Sequence, residues 1–107
     1  MIIYSVTVAV DPAVEAGWVD YMLEKHIDDV VRTGCFSKAE FFQVLDPPDA
    51  RGWKAYCVHY YASDLNDYER YIHEHAAKLR AEVIERFGSA FGATRQVLQS
   101  IASDRSS

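Results

Sequence analysis

Apolar residues alternate with small or polar ones along residues 2–10, IIYSVTVAV, so that Ile2, Tyr4, Val6, Val8 and Val10 share one side. Ile3, Ser5, Thr7 and Ala9 share the other, and a period of two predicts a strand. From residue 17 the period lengthens. On a wheel turning about 100° per residue, Trp18, Val19, Met22, Leu23, His26, Ile27 and Val30 fall within one arc, with His26 near its centre. Asp20, Glu24, Lys25 and Asp28 lie outside it. Asp11 and Pro12 supply an N-cap and a first-turn proline, which predicts a helix from there to about Arg32, with Gly34 as its stop.

Residues 36–46 predict a second strand, PPDARG a hairpin turn, and WKAYCVHYYA a third strand. Ser63 or Asp64 caps a second helix reaching about Phe87, just before Gly88. Its apolar stripe is Leu65, Tyr68, Ile72, Ala76, Leu79, Val83 and Phe87. Arg70, Glu74, Lys78 and Glu82 stand four apart on its opposite side, a solvent-facing ladder. A fourth strand from Phe91 to about Ile101 leads into a polar tail, SDRSS. The order β-α-β-β-α-β, with right-handed crossovers, predicts a ferredoxin-like α+β sandwich with both helices on one face of a four-stranded antiparallel sheet. Residues 1–102 form one domain, and 103–107 are expected to fray.

Composition adds an assembly. With 50% apolar residues and fourteen aromatics, seven of them Tyr, the chain carries more large side chains than a small core needs. The helix-free face, with Ile3, Ala9, Cys57, Tyr61 and the aromatics of the second strand, is expected to be too apolar to stay wet. A second copy is the simplest cover, so a homodimer with sheets face to face is predicted.

A net charge of −5 argues against nucleic acid as a partner. RGWKAYCV begins like the third-strand signature of RNA-recognition motifs, but places Ala55 and Val58 where two of its stacking aromatics belong. No apolar run suits a membrane span, and the first strand starts too early for a signal peptide. Cys35 and Cys57 show no CxxC spacing, so both thiols are read as reduced and the protein as cytoplasmic. Nucleotide, phosphate-loop and nucleophile-elbow motifs are missing, and no cofactor is implied.

The chemistry-bearing candidates are histidines and one arginine. His26, on an apolar helix face, is either a hydrogen-bonded core residue or a base or ligand contact in a pocket between helix and sheet. Trp18 and Met22 should point into the same space. His73 and His75 look metal-like, but residues two apart point in opposite directions on a helix, and no metal site is read there. His75 alone, at the rim of the stripe, and Tyr68 on it could line a cleft. His59 shares a face with Ala55, Cys57 and Tyr61, toward the expected dimer seam. Arg95, charged within a β pattern, could clamp a ligand carboxylate or reach solvent. The candidate ligand-binding set is therefore Trp18, Met22, His26, Tyr68, His75 and Arg95, with His26 the candidate catalytic base.

The opening MIIYSVTVAV, the run from Trp18 through Tyr21, Met22, His26, Ile27, Val30, Thr33 and Gly34 to Phe36, and the segment from Tyr71 to Gly88 resemble a short bacterial family known as a domain of unknown function. That family is similar in architecture to the dimeric α+β barrel superfamily. The latter includes cofactor-independent quinol monooxygenases, haem-degrading monooxygenases and muconolactone-type isomerases. The resemblance implies the fold and suggests the dimer, but implies no activity. Its haem-degrading branch pairs a first-strand Asn with a second-helix His; here Tyr4, Ser5 and Thr7 stand on the strand, with no Asn. Two functions stay open: a small-metabolite binder or accessory protein, and a cofactor-independent monooxygenase or isomerase acting on a small aromatic or acidic substrate.

Overall fold

The computed structural model describes residues 1–102. Strand β1 (Ile2–Val10) is followed by a helical layer made of α1 (Glu15–Tyr21), a π-helical turn (Met22–His26) and α2 (Ile27–Val31). Strands β2 (Lys38–Gln43) and β3 (Lys54–Ala62), helices α3 (Leu65–Glu74) and α4 (Ala76–Phe87), and strand β4 (Phe91–Gln99) complete the domain. All neighbouring strands are antiparallel, in the order β2-β3-β1-β4, the ferredoxin-like arrangement. The expected tail, 103–107, lies outside the described residues.

The alternation in β1 has the predicted consequence. Ile2, Tyr4, Val8 and Val10 are buried under the helices. Tyr4 sits within an aromatic cluster, with ring centroids 6.0 Å from Phe36, 5.9 Å from Tyr60, 5.3 Å from Tyr68 and 5.8 Å from Tyr71. At the other end of the layer Trp18 packs on Phe41 and Tyr56, and the Tyr56 hydroxyl donates to the Glu15 carboxylate, tying the first turn of α1 to β3. That hydroxyl is pushed up to about 12, first by burial and then by the carboxylate beside it.

Two departures from the sequence pattern matter for the site. The first helical layer is not one ideal helix. The Ile27 N–H donates to the Met22 carbonyl, five residues back, and this looser turn inserts one extra residue of rotation. Trp18, Tyr21 and Met22 define the buried face before it; His26, Ile27 and Val30 define the face after it. On an ideal wheel those two faces are offset by roughly the 100° of one residue, and the π turn brings them into line. Leu23, placed on the apolar arc by the ideal wheel, is instead 61% exposed, and Tyr21 is buried.

The second departure is a break at His75 (φ −129°, ψ −34°), where α3 ends and α4 begins. The expected charge ladder does not survive it. Arg70 pairs with Asp67 at 3.5 Å, and Glu82 meets Lys25 of the other helical layer at 3.6 Å. Leu65, first in the expected stripe, is exposed in the opening turn of α3, and Tyr71 takes a place in the core that the stripe did not assign.

Helix α3 does have its expected start: Asp64 is extended and its carboxylate accepts from the Asp67 N–H at 2.9 Å. Replacing Asp64 with Ala should lower stability by about 1 kcal/mol, read as a shift in the urea midpoint at constant slope. A midpoint unmoved within error would show that this cap does not hold the helix.

The helix-free face is more polar than expected. Its rows bring together Ser5, His59, Gln96 and Glu40, and then Thr7, Cys57, Thr94 and Phe42. Of the second-strand aromatics only Phe42 lies on this face, because Phe41 turns inward onto Trp18. Lys38 stands over the Tyr61 ring, whose hydroxyl donates to Glu40. Ile3, Tyr61 and Leu98 form a further, apolar row, and Leu98 and Phe42 are exposed, so the surface mixes apolar side chains with small and hydrogen-bonding ones.

Candidate functional site

Between the helices and the sheet lies a cavity of about 500 Å3. Its size falls in the range of small-molecule sites. Val6, Val8 and Tyr4 of β1 and Val58 and Tyr60 of β3 form the floor; Trp18 and Met22 close one wall and Val83 of α4 the other. The opening lies along β4, an edge strand, where Phe91, Gly92 and Ala93 contribute small or apolar lining.

Three basic side chains reach this apolar space: His26, Arg80 and Arg95. Arg95 aligns with Val6 across the β1–β4 pair, so its side chain is on the helical side of the sheet, and it is exposed, as an edge strand allows. Arg80 is half-buried on α4. One terminal N–H donates to the Tyr4 hydroxyl at 2.9 Å, while its buried Nε has no protein acceptor. Neither arginine forms an ion pair among the described residues. Among the described residues no Asp or Glu lines the cavity. A chain with net charge −5 thus holds two uncompensated guanidinium groups against an apolar chamber.

His26 ends the π turn. Its ring stacks on Tyr21 at 6.1 Å, and Tyr21 in turn meets Phe87 edge-on and lies under the Arg86 guanidinium. Burial pushes the imidazole down to about 4; Asp29 and Glu82 oppose that shift, and Lys25 and Arg95 add to it. At neutral pH the ring is uncharged. Its Nδ1 is buried without a hydrogen-bond partner among the described residues. The Tyr60 and Tyr71 hydroxyls, both on the cavity wall, are pushed well above the ordinary tyrosine value by burial and keep their protons.

Of the residues singled out in the sequence, Trp18, Met22, His26 and Arg95 come together on this wall. Tyr68 does not line it; its ring packs against Tyr4 instead. His75, at the junction of α3 and α4, lines a separate groove with Lys25, Asp29, Lys78 and Glu82. His59 is paired with Ser5 on the opposite face of the sheet. Arg80 escaped the sequence reading because it directly follows Leu79 and looks like a flanking solvent residue. Its one signal was its position four beyond Ala76 and three before Val83, both buried.

Residues 1–101 match the family described as "Domain of unknown function (DUF4286)". The chain belongs to that family. No curated protein matches it. Among solved structures, a dimeric ferredoxin-like protein from an uncultured marine organism superposes with a TM-score of 0.65 at 11% identity, covering 96% of this chain and 98% of its own. A protein described as of the "ethyl tert-butyl ether d (ethd) family", from Bacillus halodurans, gives 0.62 at 12% identity, covering 94% and 100%. A de novo designed ferredoxin-fold protein gives 0.50 at 18% identity, covering 96% and 88%. At these identities the family member shares a ferredoxin-like fold with these proteins, and the likeness extends no further. Among the described residues no helix is long and apolar enough to cross a membrane.

Proposed function

We propose that this protein binds a small, mainly apolar, negatively charged metabolite in the helix–sheet cavity, as a non-catalytic carrier or accessory subunit. One observation carries the reading: an apolar chamber of about 500 Å3 whose charged lining, among the described residues, is two arginines and no carboxylate. Arg80 is half-buried and its Nε is buried without a protein acceptor, so a guest that brings acceptor oxygens and a negative charge is favoured beside it, while the exposed Arg95 is free to reach the same head. The walls suit an aromatic or branched body, and the arginines suit an acidic head.

The same proposal includes a homodimer through the helix-free face. Its support is the described dimeric state of the marine ferredoxin-like protein, together with the small residues Ser5, Thr7, Ala9 and Ala55, which permit close approach of a second sheet. The proposal also puts the protein in the cytoplasm, where the free Cys35 and Cys57 stay reduced. The rival reading is a cofactor-independent monooxygenase or isomerase. It draws on one observation, an uncharged imidazole on the cavity wall in reach of a guest.

Anilinonaphthalene sulfonate, an anionic aromatic dye, tests the site. We expect saturable fluorescence enhancement at one dye per chain, abolished in Ala93→Phe, whose ring would fill the mouth from an edge strand. Equal dye binding by that variant, or none by the native protein, would refute the cavity as a binding site. Light scattering at micromolar concentration should report twice the monomer mass; a monomer there removes the dimer.

A further inference from the structure

We propose that His26 meets the guest as a hydrogen-bond donor through Nε2–H, and that with Arg80 and Arg95 it makes a donor-only end of the cavity, selective for a monocarboxylate with an aromatic or branched body. The inference deepens the cavity-binding reading and rests on it.

The argument begins with the nitrogen that cannot take part. Nδ1 of His26 is shut away from solvent and has no partner among the described residues. A neutral imidazole carries one proton, on one nitrogen or the other. Placed on Nδ1, that proton would be an orphaned buried N–H, the rarer and less tolerated kind of unmet polar group. Placed on Nε2, it leaves only a bare lone pair inside, and the N–H is free to meet whatever enters the cavity. Burial of the ring, with Lys25 and Arg95 nearby, keeps it in this neutral form, although Asp29 and Glu82 also face it.

The other polar groups on the wall fit the same scheme. Arg80 and Arg95 can only donate. Tyr4 accepts from Arg80, so its own proton remains available. Among the described residues no carboxylate competes for these donors within the cavity. A head with several acceptor lone pairs and a negative charge satisfies such an arrangement; an ammonium meets two like charges and only the neutral hydroxyls of Tyr4, Tyr60, Tyr71 and Ser89 as side-chain acceptors, and a neutral amide presents an N–H to donors. The assignment also bears on chemistry. With its lone pair on the buried Nδ1, His26 has no basic site facing the guest, so it selects rather than deprotonates.

Two measurements on the native protein test this. Long-range ¹H–¹⁵N correlation of the histidine rings at pH 7 should show the His26 proton on Nε2. Titration with phenylacetate should shift Trp18, Met22, His26 and Arg95 resonances saturably, at least tenfold more tightly than phenylacetamide, with phenethylamine weaker still. His26→Gln, which keeps an N–H, should retain phenylacetate affinity within about threefold, and His26→Leu should lose about tenfold. A proton on Nδ1, equal binding of the amide or the amine, or undiminished affinity in His26→Leu would overturn the donor assignment and leave the cavity a binding site of other specificity. No saturable shift with any of the three probes would overturn both this assignment and the cavity reading.

Discussion

Trp18→Ala is expected to lower the unfolding free energy by about 3–5 kcal/mol, the cost typical of deleting a buried Trp side chain. Trp18 is 1% exposed and packs against Phe41 and Tyr56, with ring centroids 5.9 and 5.3 Å away. These three rings join α1 to β2 and β3. The indole also forms part of the cavity wall, so its removal merges new empty volume with an existing chamber that cannot collapse around it. The upper part of the range is therefore expected. Urea denaturation followed by far-ultraviolet circular dichroism reads the loss, and Trp18→Phe should recover more than half of it. A loss below about 1 kcal/mol would mean that the first helical layer does not depend on this contact.

Acid should destabilise the protein through His26 in a defined window. The ring titrates near 6.5 in the unfolded chain but only at about 4 in the fold, because burial outweighs the attraction of Asp29 and Glu82, with Lys25 and Arg95 adding to the burial. Below 6.5 the unfolded state therefore takes up a proton that the folded state refuses. Stability is highest above that value, falls as the pH drops from 6.5 to 4, and levels off for this group below 4. The integrated loss is about 3 kcal/mol. Because carboxylates titrate in part of the same range, the quantity to measure is the difference between native protein and His26→Phe across pH 7 to 4. The variant should lack this component and approach or exceed native stability at the acid end. Parallel stability curves for the two proteins would refute the burial of a neutral ring.

The charge pairs linking the helical layers illustrate how local rules lose to tertiary geometry. Glu74, Lys78 and Glu82 stand four apart in the sequence, yet the chain breaks at His75, and Glu82 meets Lys25 across the layers, 3.6 Å away. Leu23 and Tyr21 exchange places relative to an ideal wheel, for a comparable reason. Nothing in the residues from Met22 to His26 marks a π turn, since Met, Leu, Glu and Lys all favour an ordinary α-helix. Packing decides it: the apolar positions on either side of that turn face one sheet only if the helix gains one residue of rotation.

The alternation in β1, the apolar helical spacings around Met22 and along the second helix, the Asp64 cap and the element order were enough to establish a ferredoxin-like α+β domain. They also bring Trp18, Met22, His26 and Arg95 to the helical side of the sheet. Periodicity encodes which side a residue faces, and two connected crossovers of one hand encode the topology. Three things came from the tertiary structure alone. Among the described residues it put Arg80 on the cavity wall, left the His26 Nδ1 without a partner, and kept the chamber free of carboxylates. Each depends on how two helical layers, one with a π turn and one broken at His75, settle on a twisted sheet. That is a property of distances between segments remote in the chain, on which local sequence patterns are silent.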